Sequence, residues 1–331
     1  MKYVAQILIF VLISIGAQAQ YENTYVVSPR LSLSDDGSVI AISGRRIEDV
    51  SARHGFRYPI DFYNAQTGEI IDSYMGSEDD IIGLSLNADG SSITYNDNNG
   101  QLALVNLTTI DQPLVLVVGG NVEIRYPVWN PTGDEIAIAM GAGLRFYDTG
   151  QPTTVRDEYN SGILGFAWSN DGTTITYTKH VESEPDGILS IVAIDEQFQV
   201  GIVNEIPIVS SPVVALNSVG NMAVTISQEG IIVTDLNDET QRILSDNGLQ
   251  LGITSLDWSP DGNRIAAGAN ELIVVWDVET GDILETMQVD SIAYDVTWSP
   301  DGQHLYYSGE PAGIYRDGLP LQESIANSNP D

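Results

Sequence analysis

The chain has 331 residues, with 46 Asp and Glu against 13 Lys and Arg, a formal charge of −33, and no cysteine. A surface this acidic is repelled by phosphate, which excludes nucleic acid and anionic lipid as natural partners. With no disulfide available, stability has to come from a large apolar core, and a chain of this length can bury one.

Residues 1–19 differ from everything that follows: Lys2 supplies a positive start, Val4 to Ile15 is almost wholly apolar, and Ala17-Gln18-Ala19 has the small-x-small pattern of a cleavage site. This predicts a secretory signal peptide cut after Ala19. The apolar run is shorter than the roughly 20 residues that cross a bilayer, and no other segment is longer, so no membrane span is expected in the mature chain. The expected location is periplasmic or secreted, in a bacterium.

Beyond the leader one short phrase returns seven times, clearest as Trp258-Ser259-Pro260-Asp261-Gly262 and Trp298-Ser299-Pro300-Asp301-Gly302. Its glycines are Gly37, Gly90, Gly133, Gly172, Gly220, Gly262 and Gly302, with gaps of 53, 43, 39, 48, 42 and 40 residues. These gaps bracket the roughly 40–45 residues of a four-stranded propeller blade. The sixth repeat shows the unit best: Ile253 to Trp258, a Pro-Asp-Gly turn, Arg264 to Ala267, Leu272 to Trp276, then Asp277 and Thr280-Gly281 before Ile283 to Met287. In the first turn Asp can accept backbone N–H groups ahead of it and Gly tolerates positive φ.

The expected fold is all-β: a single seven-bladed β-propeller of four-stranded antiparallel blades over residues 21–323, with a polar, flexible tail at 324–331. The position before each turn is Trp129, Trp168, Trp258 or Trp298 in four repeats and Leu33, Leu86 or Leu216 in three, a large apolar residue expected to pack between neighbouring blades. Ring closure needs the two ends to meet. Either Tyr25 to Val27 or Leu319 to Gln322 can add the outermost strand of the last blade, and the N-terminal segment is preferred because the tail is polar.

These residues resemble the WD40-repeat propellers and the WD40-like repeats of the periplasmic TolB type. Ile273-Val274-Val275-Trp276-Asp277 with Thr280-Gly281 is similar to the end of a WD repeat, and Phe146-Tyr147-Asp148, Val192-Ala193-Ile194-Asp195 and Val233-Thr234-Asp235 are weaker echoes. The Gly-His dipeptide that opens many WD repeats is missing from every unit, so the buried Asp-His-Ser-Trp network associated with that family is not expected. The resemblance implies a rigid platform for protein partners, with no enzymatic activity; fold alone does not settle that role.

The chemistry the residues offer is sparse. The three histidines, His54, His180 and His304, are not spaced as a metal-binding pair, and no G-x-S-x-G phrase occurs. Glu78-Asp79-Asp80 and Asn96-Asp97-Asn98-Asn99-Gly100 invite a calcium reading but lack the alternating spacing of a calcium loop, and turn chemistry accounts for them. Asn106-Leu107-Thr108 matches an N-glycosylation acceptor, of consequence only in a eukaryotic host. No cofactor is expected, with a divalent cation such as calcium held by several blades as the exception.

The most individual segment is the insertion in repeat one, Gly44 to Pro59, which carries Arg45, Arg46, Arg53 and Arg57, four of the eleven arginines, together with His54, Phe56 and Tyr58. In an up-and-down meander it leaves the face opposite the Pro-Asp-Gly turns. The matching connection in repeat four, Lys179 to Gly187, carries Glu182, Glu184 and Asp186. Arginine forks recognise carboxylates and interface anchors favour aromatics, so Arg45, Arg46, Arg53, Phe56, Arg57 and Tyr58 form the expected partner-binding surface of a monomeric scaffold. The competing expectation is that the arginines neutralise nearby acidic loops. The alternative function is a ligand- or cation-binding propeller, or a hydrolytic enzyme, with its site at the central channel mouth.

Overall fold

Every repeat turns on one side-chain circuit. In repeats one, four, six and seven a serine hydroxyl (Ser34, Ser169, Ser259, Ser299) donates to the Asp carboxylate two places on, at 2.5–2.7 Å. The same hydroxyl accepts the backbone N–H five places on, at 2.9–3.0 Å. The serine bond holds Asp171, Asp261 and Asp301 below the ordinary aspartate pKa. Repeats two, three and five substitute Asn87, Asn130 and Asn217, whose Oδ1 accepts that N–H at 2.9–3.2 Å. The glycine closes each turn in the left-handed region, at φ 67–78°.

The computed structural model describes residues 25–26, 29–117, 124–140, 143–151, 155–159, 162–180, 187–194, 200–208, 211, 213–227, 230–245, 252–290, 292–309, 313–317 and 319–320. The expected signal peptide, the acidic residues of the repeat-four connection and the 324–331 tail lie outside them. Seven antiparallel sheets follow in chain order, six of them four-stranded in the order first, second, third, fourth. This is the expected seven-bladed propeller. Blade one contains β1 (Tyr25–Val26), β2 (Leu31–Leu33), β3 (Val39–Ile42), β4 (Arg45–Glu48), β5 (Phe56–Asn64) and β6 (Ile70–Ser77).

The long β5 belongs to two hairpins. Its second half pairs with β3, from Ile42 opposite Asp61 to Val39 opposite Asn64. Its first half runs past the end of β3 and pairs with β4, Ile47 opposite Arg57 and Glu48 opposite Phe56. The repeat-one insertion is therefore a β-hairpin that continues the blade, where the sequence reads as a loop.

Ring closure departs from expectation. The fourth strand of blade seven is Leu319–Pro320, paired with Gly313–Arg316, while Tyr25 and Val26 pair with Arg46 and Arg45 of β4. The preferred N-terminal closure is corrected. Asp317 sits in the left-handed region at φ 52° and takes the Leu305 N–H on its carboxylate, sending the chain straight back. Asp317-Gly318 is a two-residue hairpin signal.

With each blade built from one continuous segment, the blades are joined through side chains. The core consists of seven apolar clusters, and each one straddles a seam between neighbouring blades. Each includes the Trp or Leu four places before a turn glycine, as expected: Leu86, Trp129, Trp168, Leu216, Trp258, Trp298 and Leu33, taking the seams in order. Trp168 meets Phe146 of the preceding blade edge to face at 5.9 Å, and Trp258 Nε1 donates to the Ala215 carbonyl of blade five at 3.2 Å.

Polar bonds cross the same seams. Ser32, Ser85 and Asp257, one place before the Leu or Trp, accept the backbone N–H of Leu86, Trp129 and Trp298 in the next blade, at 2.8–3.3 Å. Ser255 accepts Val296 N–H between blades six and seven, and Asp295 accepts Leu31 N–H between seven and one, at 2.9 and 3.0 Å. Asn96, Thr178 and Ser308, all buried, donate to the Ile124, Ser211 and Pro29 carbonyls of the following blade. The last of these closes the ring with the device used elsewhere inside it.

Trp258→Ala is expected to cost about 3–5 kcal/mol, from a large cavity at the seam of blades five and six, read as a lower urea midpoint. Asp257 tests the polar seam. Burial outweighs its bonds to Trp298 N–H and Thr297 and lifts its pKa from 3.8 to about 6. The native state therefore takes up a proton that the unfolded chain does not, and stability rises as pH falls from about 6 towards 3.8. The ceiling is roughly 3 kcal/mol at 1.36 kcal/mol per unit. In Asp257→Asn this component is expected to vanish, so wild type should gain on the variant between pH 6.5 and pH 4 in urea titrations; a constant difference would refute it.

Candidate functional site

The hairpin of β4 and β5 is held by ion pairs at its base and by backbone bonds at its tip. Arg45 lays its guanidinium on Asp61 with two bonds, Nε to Oδ2 at 2.6 Å and Nη2 to Oδ1. Asp61 is 2% exposed and also takes the Ser73 hydroxyl. Arg46 stacks over Phe56 at 4.2 Å and bonds the Tyr58 hydroxyl, which burial and Asp80 push above its ordinary pKa. Arg57 donates from Nε to Asp49 at 2.7 Å and from Nη1 to the Met75 carbonyl at 3.2 Å, with Glu78 at 3.6 Å.

At the tip, Asp49 N–H bonds the Gly55 carbonyl, Ala52 N–H the Asp49 carbonyl, and Gly55 N–H the Ala52 carbonyl. Asp49 also accepts the Ser51 hydroxyl and N–H. Those bonds, the Ser51 hydroxyl first and then Arg57, hold its carboxyl at a pKa of about 2. The Arg53 N–H is fixed to Glu78 at 3.1 Å while its side chain points out exposed. His54, 53% exposed, lies 4.0 Å from Asp79. Val50 is fully exposed, the most exposed of the large apolar residues described.

The six expected contact residues are thus brought onto one hairpin but do different work. Arg45, Arg46, Arg57, Phe56 and Tyr58 brace it, and of these Arg57 meets one of the acidic loops, at Glu78. Arg53 alone of the six projects from the tip. Val50 was missed because an isolated valine in a polar loop carries no sequence signal; only the turn geometry shows that it cannot reach the core.

The other candidates are engaged locally. Asp97 accepts Asn99 N–H, Gln101 N–H and the Ser77 hydroxyl, which is turn chemistry, and Glu78, Asp79 and Asp80 face Arg57, His54 and Tyr58 respectively. Asn106 caps the single turn Leu107–Thr109 by accepting Thr108 N–H and donates its amide to Ser92. His304 Nδ1 lies 2.7 Å from Asp317, and the side chain of His180 lies outside the described residues. Among the described residues no three His, Asp or Glu side chains converge as a metal-binding group, and no helix is long and apolar enough to cross a membrane.

Residues 221–301 match the family model described as the WD40 domain of anaphase-promoting complex subunit 4. Over 55 residues the chain is 40% identical to WD repeat-containing protein AAC3 of Dictyostelium discoideum, a match that spans 16% of this chain and 12% of that protein. The fold superimposes on the crystal structure of the Cps50 (Swd1) β-propeller domain of Myceliophteria thermophila with a TM-score of 0.68 at 14% identity, over 90% of this chain and 99% of that one. The fold is a seven-bladed β-propeller, and within it residues 221–301 are similar to a WD40 domain.

Proposed function

We propose that this propeller is an exported, non-enzymatic protein-interaction scaffold of the bacterial envelope or extracellular space, and that it holds its partner at the tip of the blade-one hairpin. WD40 propellers bind protein partners in general, which supports the scaffold role. The second half rests on one observation: a tip fixed by its own backbone bonds carries Val50, Arg53 and His54 outward. Fixing a recognition loop before binding removes the ordering cost, and arginine is among the residues enriched at interface hot spots. Export rests on the pattern of residues 1–19. No resident metal or cofactor is assigned to this role.

The braces and the tip separate experimentally. Arg45→Ala strands the buried Asp61 carboxylate and is expected to destabilise the fold by about 3–5 kcal/mol. Arg53→Ala and Val50→Asp should leave the urea midpoint unchanged yet abolish the crosslinks formed by a photoreactive group at position 51. Crosslinks that persist in the Val50→Asp, Arg53→Ala double variant would remove the tip from the interface. Export predicts a mature protein beginning at Gln20, read by N-terminal sequencing of the secreted or periplasmic fraction.

A further inference from the structure

The inner strands carry one layer that is not uniform. Seven places before each turn glycine stand Arg30, Gly83, Tyr126, Gly165, Val213, Ser255 and Asp295. These equivalent positions surround the central channel at its end nearest the hairpin, since Arg30 is bonded to Ser43 at the hairpin's base.

Two neighbours share the guanidinium of Arg30, one from each side. Asp295 of blade seven lies 3.4 Å from Nη1. Tyr126 of blade three reaches it across blade two, its ring centroid 5.3 Å from the guanidinium carbon and its hydroxyl 3.5 Å from Nη2. Blade two contributes Gly83 at this level, where blades two and three approach closely: a Cβ would meet Asn96 Oδ1 at 2.5 Å, Pro127 at 3.0 Å and the Tyr126 backbone at 3.1 Å.

The tyrosine is held in an unfavourable state to be there. Its φ is +29°, in a region that aromatic residues avoid, and it remains 44% exposed. Such a conformation persists only where the surroundings enforce it, and it marks sites with a task. Tyr126 lies at the register shift between Arg125 and Val128, and its side chain is only about half covered, so core packing alone does not supply that task. Nor does the hydrogen bond to Arg30, which at 3.5 Å is at the weak limit. The guanidinium itself is 24% exposed, and both its side-chain bonds are long.

We propose that Arg30 and Tyr126 form a recognition site for a carboxylate at the channel mouth. The guanidinium fork offers its Nη hydrogens to two carboxylate oxygens, the arrangement for which arginine is suited. The tyrosine hydroxyl supplies a third donor, and its ring forms one wall. The site is separate from the hairpin tip and stands or falls without it.

Calorimetric titration of the purified protein at low salt with succinate and with a hexaglutamate peptide tests the site and distinguishes its sources. Heat with succinate alone points to a small free carboxylate; heat with the peptide points to an acidic side chain presented by a protein. Arg30→Gln and Tyr126→Gly are each expected to weaken binding by roughly tenfold or more, the equivalent of one charge-assisted bond. Tyr126→Gly carries the decision if Arg30→Gln disturbs ring closure, because glycine relaxes the φ and should keep or raise the melting temperature. Absence of binding to both probes, or affinity unchanged in the Tyr126→Gly protein, overturns the assignment.

Discussion

A blade of four short strands has two apolar faces and cannot cover either. Everything in this molecule depends on the solution to that problem, which is to bury each face against the next blade. The seven clusters of the core lie at the seven seams, and a tryptophan or leucine at one fixed distance before each turn glycine stands in every one. Because the blades are complete in themselves, no strand is shared between them among the described residues. The ring is held by packing and, at six of the seven seams among the described residues, by side chains that reach over to the neighbour's backbone.

The turn phrase was legible because it is local chemistry: the glycine, the Asp and the large apolar residue lie within five positions of one another. The seam bonds were not, since Ser85 and Trp129, or Asp257 and Trp298, are more than 40 residues apart and are matched only by the folded register. The serine or asparagine that every turn uses was visible at all seven places but was overshadowed by the better-known Asp and Gly. Ring closure was misjudged for a related reason. Strands two residues long, such as Tyr25–Val26 and Leu319–Pro320, carry no periodicity, and the decisive signal is the Asp317-Gly318 dipeptide in the sequence ahead of the second.

The arginine-rich insertion shows how far composition can go. It singles out one segment and leaves open whether the charges serve a partner or the fold. Geometry divides them. Arg45 neutralises a carboxylate that is buried in the blade, Arg57 ties the hairpin to β6 and its following turn, and Arg53 faces outward. A β-hairpin carried on the extension of β5 inherits the rigidity of the sheet, so its tip is positioned by the blade and not by its own flexible ends.

Closure through side chains alone has a mechanical meaning. Six of the seven seams join blades that the backbone also links; the seam between blades seven and one has no such link. There the Asp295 carboxylate on Leu31 N–H and the Ser308 hydroxyl on the Pro29 carbonyl act as a latch, beside the packing of Leu31, Ile40 and Ile42 on Tyr306 and Ile314. Among the described residues no strand pairing crosses this seam, so a force or a fluctuation that opens the ring has to break the latch, the Arg30–Asp295 ion pair and an apolar patch. The propeller is therefore a clasp, with its release point between the first blade and the last, next to the hairpin and the channel mouth.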